Sequence, residues 1–122
     1  MVLVLCTGAN RALIRTRKFL LERSGYTVIA AMNEEEIAAA CKQNGFDVVV
    51  LCQRISPQVK KKAATLIRKN CPSAKILELY EAPTGRQLTD ADAWMEVPGA
   101  VPADLAAQVA ALLPPEKKKT PA

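Results

Sequence analysis

The residues best suited to chemistry stand near the start of the chain, in the segment VLCTGANR at residues 4–11. Cys6 closes an apolar run, Gly8 follows two residues later, and Arg11 follows three residues after that. A thiolate beside backbone N–H groups and a guanidinium would bind a phosphoryl group, because the guanidinium fork donates to two phosphate oxygens. The first hypothesis for function is therefore a cysteine-phosphate site.

The spacing of these residues argues against that hypothesis. The phosphate loop of the small tyrosine phosphatases has cysteine, five residues, arginine and then serine or threonine, whereas Arg11 follows Cys6 after only four residues and precedes Ala12. A shift of one residue at a helix start turns a side chain by about 100°, which would take the guanidinium out of reach. A cysteine-dependent enzyme, either phosphatase-like at Cys6 or redox-active at Cys6 and Cys52, is kept as the alternative reading of the chain.

Composition restricts the possible chemistry further. The 122-residue chain contains no histidine, so the commonest general base and the commonest metal ligand are missing. Its four cysteines lack the spacing of a metal site, and no secretion signal is recognisable, which predicts reduced thiols in the cytoplasm. Each cysteine is expected to be a small buried hydrophobe, although Cys6 and Cys52 could also form a redox pair or a soft-metal site. No apolar run reaches the roughly 20 residues of a membrane span, so a membrane is not expected as a partner.

The net charge of +5 raises the question of a nucleic-acid partner. Many of the basic residues fall in three groups: residues 11–18, Lys60-Lys61-Lys62 with Arg68-Lys69, and the tail at Lys117-Lys118-Lys119. Aromatic residues make up only 4% of the chain, so few side chains could stack on bases. These groups are therefore expected to be solvated charge, and nucleic acid is not expected as a partner.

Hydrophobic patterning predicts alternating strands and helices. Short apolar runs typical of buried parallel strands lie at residues 2–5, 26–31, 46–51, 75–80 and 93–97. Between them, Asn10, Asn33 and Ser56 are predicted to cap three helices. A last helix is predicted at residues 102–113, and the polar segment 81–92 stands where a further crossover helix would be expected.

The order of these elements predicts a doubly wound α/β fold with a parallel sheet. On the third helix, four residues are expected to face the core: Val59, Ala63, Leu66 and Ile67. Residues 1–113 are predicted to form one domain, and residues 114–122 a disordered basic tail. In such a sheet, functional groups lie beyond the carboxyl ends of the strands.

Several stretches together resemble one known family. They are the first strand at residues 2–5, LLERSGYTV at residues 20–28, DVVVL at residues 47–51, and the step from Cys52 to Ile67-Arg68. This pattern resembles the receiver domain of two-component response regulators over residues 1–113. The resemblance implies a flavodoxin-like, five-stranded parallel sheet of order 2-1-3-4-5, with the fourth helix short or missing.

The resemblance also assigns the positions that carry out phosphorylation in that family. The acidic pair that holds magnesium falls on Cys6 and Thr7, the phosphoacceptor aspartate on Cys52, the hydroxyl residue on Tyr80, the lysine on Val97 and the switch aromatic on Trp94. Aspartyl phosphorylation requires a carboxylate nucleophile, a divalent cation and a lysine, and none of these positions supplies one. The resemblance therefore implies a pseudo-receiver that is not an enzyme, uses no cofactor or metal, and signals through protein–protein contacts.

The same resemblance suggests the kinds of partner. A kinase or another signalling domain is expected as the protein partner. If the domain forms a homodimer, the first and last helices are expected to build the interface, because segment 81–92, with Pro83 and Gly85, cannot form a full helix there.

Overall fold

Five strands and four α-helices lie within residues 2–97 and 102–117, the parts of the chain that this computed structural model describes. The strands are β1 (Leu3–Thr7), β2 (Thr27–Ala31), β3 (Val48–Leu51), β4 (Lys75–Tyr80) and β5 (Ala93–Glu96). The helices are α1 (Arg11–Arg23), α2 (Glu34–Gln43), α3 (Pro57–Asn70) and α4 (Pro102–Leu112), followed by a 3-10 turn at Pro115–Lys117.

The strands form a single parallel sheet in the order β2-β1-β3-β4-β5. One face packs against α1 and α4, where Ile14 and Val109 are buried. The other face packs against α2 and α3, where Ile37 and Ile67 are buried. Because both faces are covered, the strands are apolar along most of their length. The predicted fold class and strand order are confirmed.

The helix starts follow from the predicted capping residues. Asn10 Oδ1 accepts the N–H of Leu13 at 3.1 Å, and Asn33 Oδ1 accepts the N–H of Glu36 at 2.9 Å. Ser56 Oγ accepts the N–H of Val59 at 3.3 Å. Each cap satisfies an N–H group that has no partner within its own helix.

The connection between β4 and β5 contains turns instead of a helix. The N–H groups of Thr84 and Gly85 both donate to the carbonyl of Glu81, and Gly85 has a φ of +68°, which a residue with a side chain rarely adopts. The prediction that the helix at this position is short or missing is confirmed, and residues 81–92 form an irregular loop that returns from the end of β4 to the start of β5.

The buried face of α3 differs from the prediction. Its buried residues are Lys60, Ala63, Ala64 and Ile67, whereas Val59 is 49% exposed. Pro57 is the first residue of the helix, and from that start the positions facing the sheet fall on 60, 63, 64 and 67. The prediction that Val59 faces the core is therefore wrong. Val59 precedes the buried Lys60 by one residue, which turns its side chain about 100° around the helix, away from the sheet.

The cysteines form two separate pairs. Cys41, in the last turn of α2, and Cys71, the residue that caps the end of α3, are joined by a disulfide with their Cα atoms 5.8 Å apart. Two helices on the same face of a parallel sheet end at the same edge, and this arrangement brings the two residues together. The prediction of reduced thiols is wrong for this pair, while Cys6 and Cys52 are free and buried as predicted.

The end of the described chain contacts the residue that precedes β3. Lys117 Nζ lies 2.9 Å from Oδ1 of Asp47, whose other oxygen accepts the N–H of Leu3. Of the segment 114–122, for which the sequence predicts disorder, residues 118–122 lie outside the described residues. Within the described ranges, no helix is both long enough and apolar enough to cross a membrane.

Candidate functional site

The candidate site lies where the strands end at their carboxyl side. Beyond the last paired residues, the N–H of Cys52 donates to the carbonyl of Thr7 at 2.9 Å, and the N–H of Val97 donates to the carbonyl of Tyr80 at 2.8 Å. Backbone hydrogen bonds thus hold four of the predicted site positions along one edge of the sheet.

Cys6 lies inside β1, because this strand extends to Thr7, beyond the predicted apolar run at residues 2–5. The register pairs Cys6 with Val50 and Thr7 with Leu51, so the residue that reaches the level of Cys52 is Gly8. A Cβ atom on Gly8 would lie only 3.0 Å from the Cβ of Cys52. The connection between β1 and α1 therefore passes close to Cys52. A side chain at position 8 would require either this connection or Cys52 to shift.

Both free thiols are held in their neutral form. Burial raises the pKa of Cys6 far above its ordinary value, and the charge of a Cys52 thiolate would raise it further. Burial also raises the pKa of Cys52, although the neighbouring guanidinium of Arg17 partly opposes this effect. Nucleophilic cysteines need a stabilised thiolate, so these thiols lack the main requirement for cysteine catalysis.

The side chains at the strand ends do not fit a magnesium ion. Thr7 supplies a hydroxyl, Gly8 no side chain and Cys52 a neutral thiol, whereas magnesium is bound through carboxylate and other oxygen ligands. In the part of the chain that the structure describes, no group of three or more histidine, cysteine, aspartate or glutamate side chains could hold a metal ion. Instead, a small cavity of about 50 Å³ lies beside Gly8, lined largely by apolar side chains such as Met32 and Ile55.

A buried ion pair near this edge was missed by the sequence analysis. Lys60 and Glu78 are 1% and 0% exposed, and Lys60 Nζ lies 2.9 Å from Glu78 Oε2. The ammonium also donates to the carbonyl of Leu79 at 3.1 Å. The sequence carried one signal for this pair, since an acid within the apolar strand KILELY requires a partner when it is buried.

The same carboxylate holds the loop that replaces the missing helix. Glu78 accepts the N–H of Gln87 at 2.9 Å and the N–H of Leu88 at 3.0 Å. The loop is thereby fixed to β4, and through Lys60 to α3.

Trp94, the predicted switch aromatic, packs against this loop. Its Nε1–H donates to the carbonyl of Leu88 at 3.0 Å, and the Arg86 guanidinium lies 4.6 Å from the centre of its ring. Arg86 also lies 5.8 Å from the ring of Tyr80. The half-buried aromatic side chains thus form one cluster with an exposed arginine.

Comparison with solved structures identifies the fold. The response regulator TrrA of Thermotoga maritima, in complex with Mg²⁺-BeF, is 23% identical to this chain with a TM-score of 0.76, over 93% of this chain and 100% of that one. The chemotaxis response regulator CheY4 of Vibrio cholerae is 21% identical with a TM-score of 0.75, over 93% of this chain and 99% of that one. The chain therefore has the fold of a response-regulator receiver domain, as the sequence predicted.

A third similar structure is a complex. It contains the histidine kinase ThkA and TrrA, with 24% identity, a TM-score of 0.75 and coverage of 93% of this chain and 100% of the matched chain. No protein-family model matches the sequence, and comparison with curated proteins gives no match.

Proposed function

We propose that this protein is a receiver-like signalling module that binds other proteins and does not accept a phosphoryl group. One observation carries the proposal: a receiver fold in which the thiol of Cys52 occupies the end of the third strand. The acidic pair that holds magnesium in receivers falls on Cys6 and Thr7 by sequence, and the strand register would place it on Gly8 and Ala9, near the level of Cys52. Neither pair of residues contains an acid.

The remaining assigned positions support the same proposal. Val97 has an apolar side chain where receivers have a lysine, and Tyr80 carries its hydroxyl at the end of a ring. Phosphoryl transfer depends on positioning and on charge stabilisation of the phosphoryl oxygens. Replacing all the charged groups together leaves no single buried charge without a partner, so the fold survives without the reaction.

The partner that we propose is a protein of a signalling pathway. In the Thermotoga complex, the receiver TrrA is bound to a histidine kinase. We infer that a kinase or another signalling domain binds this chain, and we place the module in the cytoplasm. The Cys41–Cys71 disulfide is uncommon for that compartment, which makes its redox state informative about location.

Phosphate uptake tests the proposal. The purified protein is incubated with acetyl phosphate and magnesium and its intact mass is measured, with an ordinary receiver domain as the positive control. We expect no adduct, because Cys52 offers no carboxylate and its neighbours offer no cation site. A stoichiometric, hydroxylamine-sensitive phosphoadduct would overturn the proposal.

The variant Cys52→Asp extends the same test. It restores one carboxylate without a cation site or a lysine, so we expect it to remain unphosphorylated and to lose about 1–3 kcal/mol of unfolding free energy. Phosphate uptake by this variant with an unchanged urea midpoint would mean that the site is still built for phosphoryl transfer.

A further inference from the structure

A groove of about 480 Å³ lies between α2 and α3, on the opposite face of the sheet from α1. It is lined by Glu34 at the start of α2 and by five residues of α3: Lys61, Lys62, Thr65, Leu66 and Lys69. The lysine stems are apolar and only their ammonium groups require water, so the groove combines an apolar floor with a basic rim.

Two apolar side chains lie on the side of α3 that borders this groove. Val59 is 49% exposed and Leu66 is partly exposed, and they lie on one stripe of α3 two turns apart, about 10 Å along the helix. Val59 lines the small cavity of about 50 Å³ beside Gly8, and Glu34 lines both that cavity and the groove. Apolar positions at this spacing fit the apolar face of a partner helix.

The charges on the groove select the kind of helix. Lys61, Lys62 and Lys69 take part in none of the ion pairs found between the described residues. Three cations face one acid, Glu34, so a segment with carboxylates beside its apolar residues would complement the rim.

We propose that the α2–α3 groove is the docking site for an acidic amphipathic helix of a partner protein. Two apolar side chains of that helix contact Val59 and Leu66, and its carboxylates pair with the three lysines. The proposal rests on the proposed function, because it names the surface through which a protein-binding module would act. The Cys41–Cys71 disulfide joins the carboxyl-terminal ends of these two helices.

A designed probe tests the groove directly. The probe is a fluorescein-labelled helical peptide with leucines two turns apart and glutamates beside them, and its fluorescence anisotropy is followed as protein is added. We expect saturable binding that weakens with salt, and no binding of a peptide in which lysines replace the glutamates. In the variant Lys62→Glu/Lys69→Glu, we expect affinity to fall by about tenfold or more.

The matched control changes net charge equally at another place. Arg11→Glu/Arg15→Glu alters exposed residues of α1, and we expect its affinity for the probe to stay within about twofold of the original protein. Circular dichroism and the melting temperature establish that each variant is folded.

Three results would overturn the inference. They are absence of probe binding, an equal loss of affinity in the α1 control, and equally tight groove-dependent binding of a single-stranded oligonucleotide of the same charge. Phosphate uptake is measured separately. If the probe does not bind the groove, the proposed function still stands; if the protein takes up phosphate, the proposed function is wrong regardless of the result with the probe.

Discussion

Burial controls the chemistry of the two free thiols, Cys6 and Cys52. A thiolate loses its hydration inside the core, so burial raises the pKa of both groups above the ordinary value of 9.0. The native state therefore keeps these protons at pH values where the unfolded chain has released them. Their contribution to stability is complete below about pH 9 and is lost progressively as the pH rises above that value.

This linkage gives a prediction for Cys6. We expect the unfolding free energy, measured by urea denaturation across the alkaline range, to fall more steeply with pH in the original protein than in Cys6→Ala. The difference in slope should approach about 1.4 kcal/mol per pH unit, the value for one proton. The raised pKa of Tyr26 is common to both proteins, so equal slopes would contradict the prediction.

The sequence could locate Cys52 but could not set the level of Cys6. The position of Cys52 follows from its place after the apolar run 48–51 and from its distance to Ile67. All of β1 is apolar apart from Thr7. Its composition therefore does not indicate which residue of this segment lies beside Cys52 in the sheet. Pairing with the neighbouring strand decides this, and it brings Gly8 to that place.

Among the elements, α3 and β4 are joined by the Lys60–Glu78 pair. We expect Lys60→Met to cost about 3–5 kcal/mol of unfolding free energy, because it leaves a buried carboxylate without its counter-ion. Urea denaturation followed by Trp94 fluorescence measures this loss, since Trp94 packs against the loop that Glu78 holds.

Two further variants make that prediction specific. Lys61→Met changes an exposed neighbour on the same helix, and it should shift stability by no more than about 0.5 kcal/mol. Lys60→Met/Glu78→Gln removes both charges and should be less destabilised than the sum of the single changes. Equal effects of Lys60→Met and Lys61→Met would show that the buried pair contributes nothing.

The Cys41–Cys71 disulfide joins the ends of α2 and α3 across a separation of 30 residues. Loop closure of this size restricts the unfolded chain, so we expect reduction to lower the unfolding free energy by about 2–4 kcal/mol. Cys71→Ser should show the same stability with and without reductant. Titration of the denatured protein should find two thiols before reduction and four afterwards, and four from the outset would place the native protein in its reduced form.

Local signals explain which features of the elements the sequence predicted. Asn10, Asn33 and Ser56 act through hydrogen bonds within one helical turn, so their capping was visible in the sequence. The phase of α3 was not, because Lys60 faces the core only when Glu78, eighteen residues away, receives its charge. The disulfide likewise depends on how two helices lie side by side.

For the whole molecule, exposed apolar side chains mark two separate faces. Phe19 of α1 is 56% exposed and Val59 of α3 is 49% exposed, and their helices lie on opposite sides of the sheet. The groove beside Val59 suits a partner helix, which leaves the α1–α4 face for contact between copies. The sequence predicted that face for a homodimer because the helix after β4 is missing, and it remains a prediction.

Charge supports pairing of α1 from one copy with α4 from another. Helix α1 carries five basic residues and one acid, whereas the only charged residue of α4 is Asp104. Contact between two α1 helices would bring like charges together, while an α1–α4 contact avoids that repulsion and covers Phe19. We therefore expect sedimentation equilibrium at high protein concentration to show self-association that is lost in Phe19→Glu and retained in Val59→Glu. An interface centred on residues 81–97, or a dimer that persists in Phe19→Glu, would show that the copies meet elsewhere.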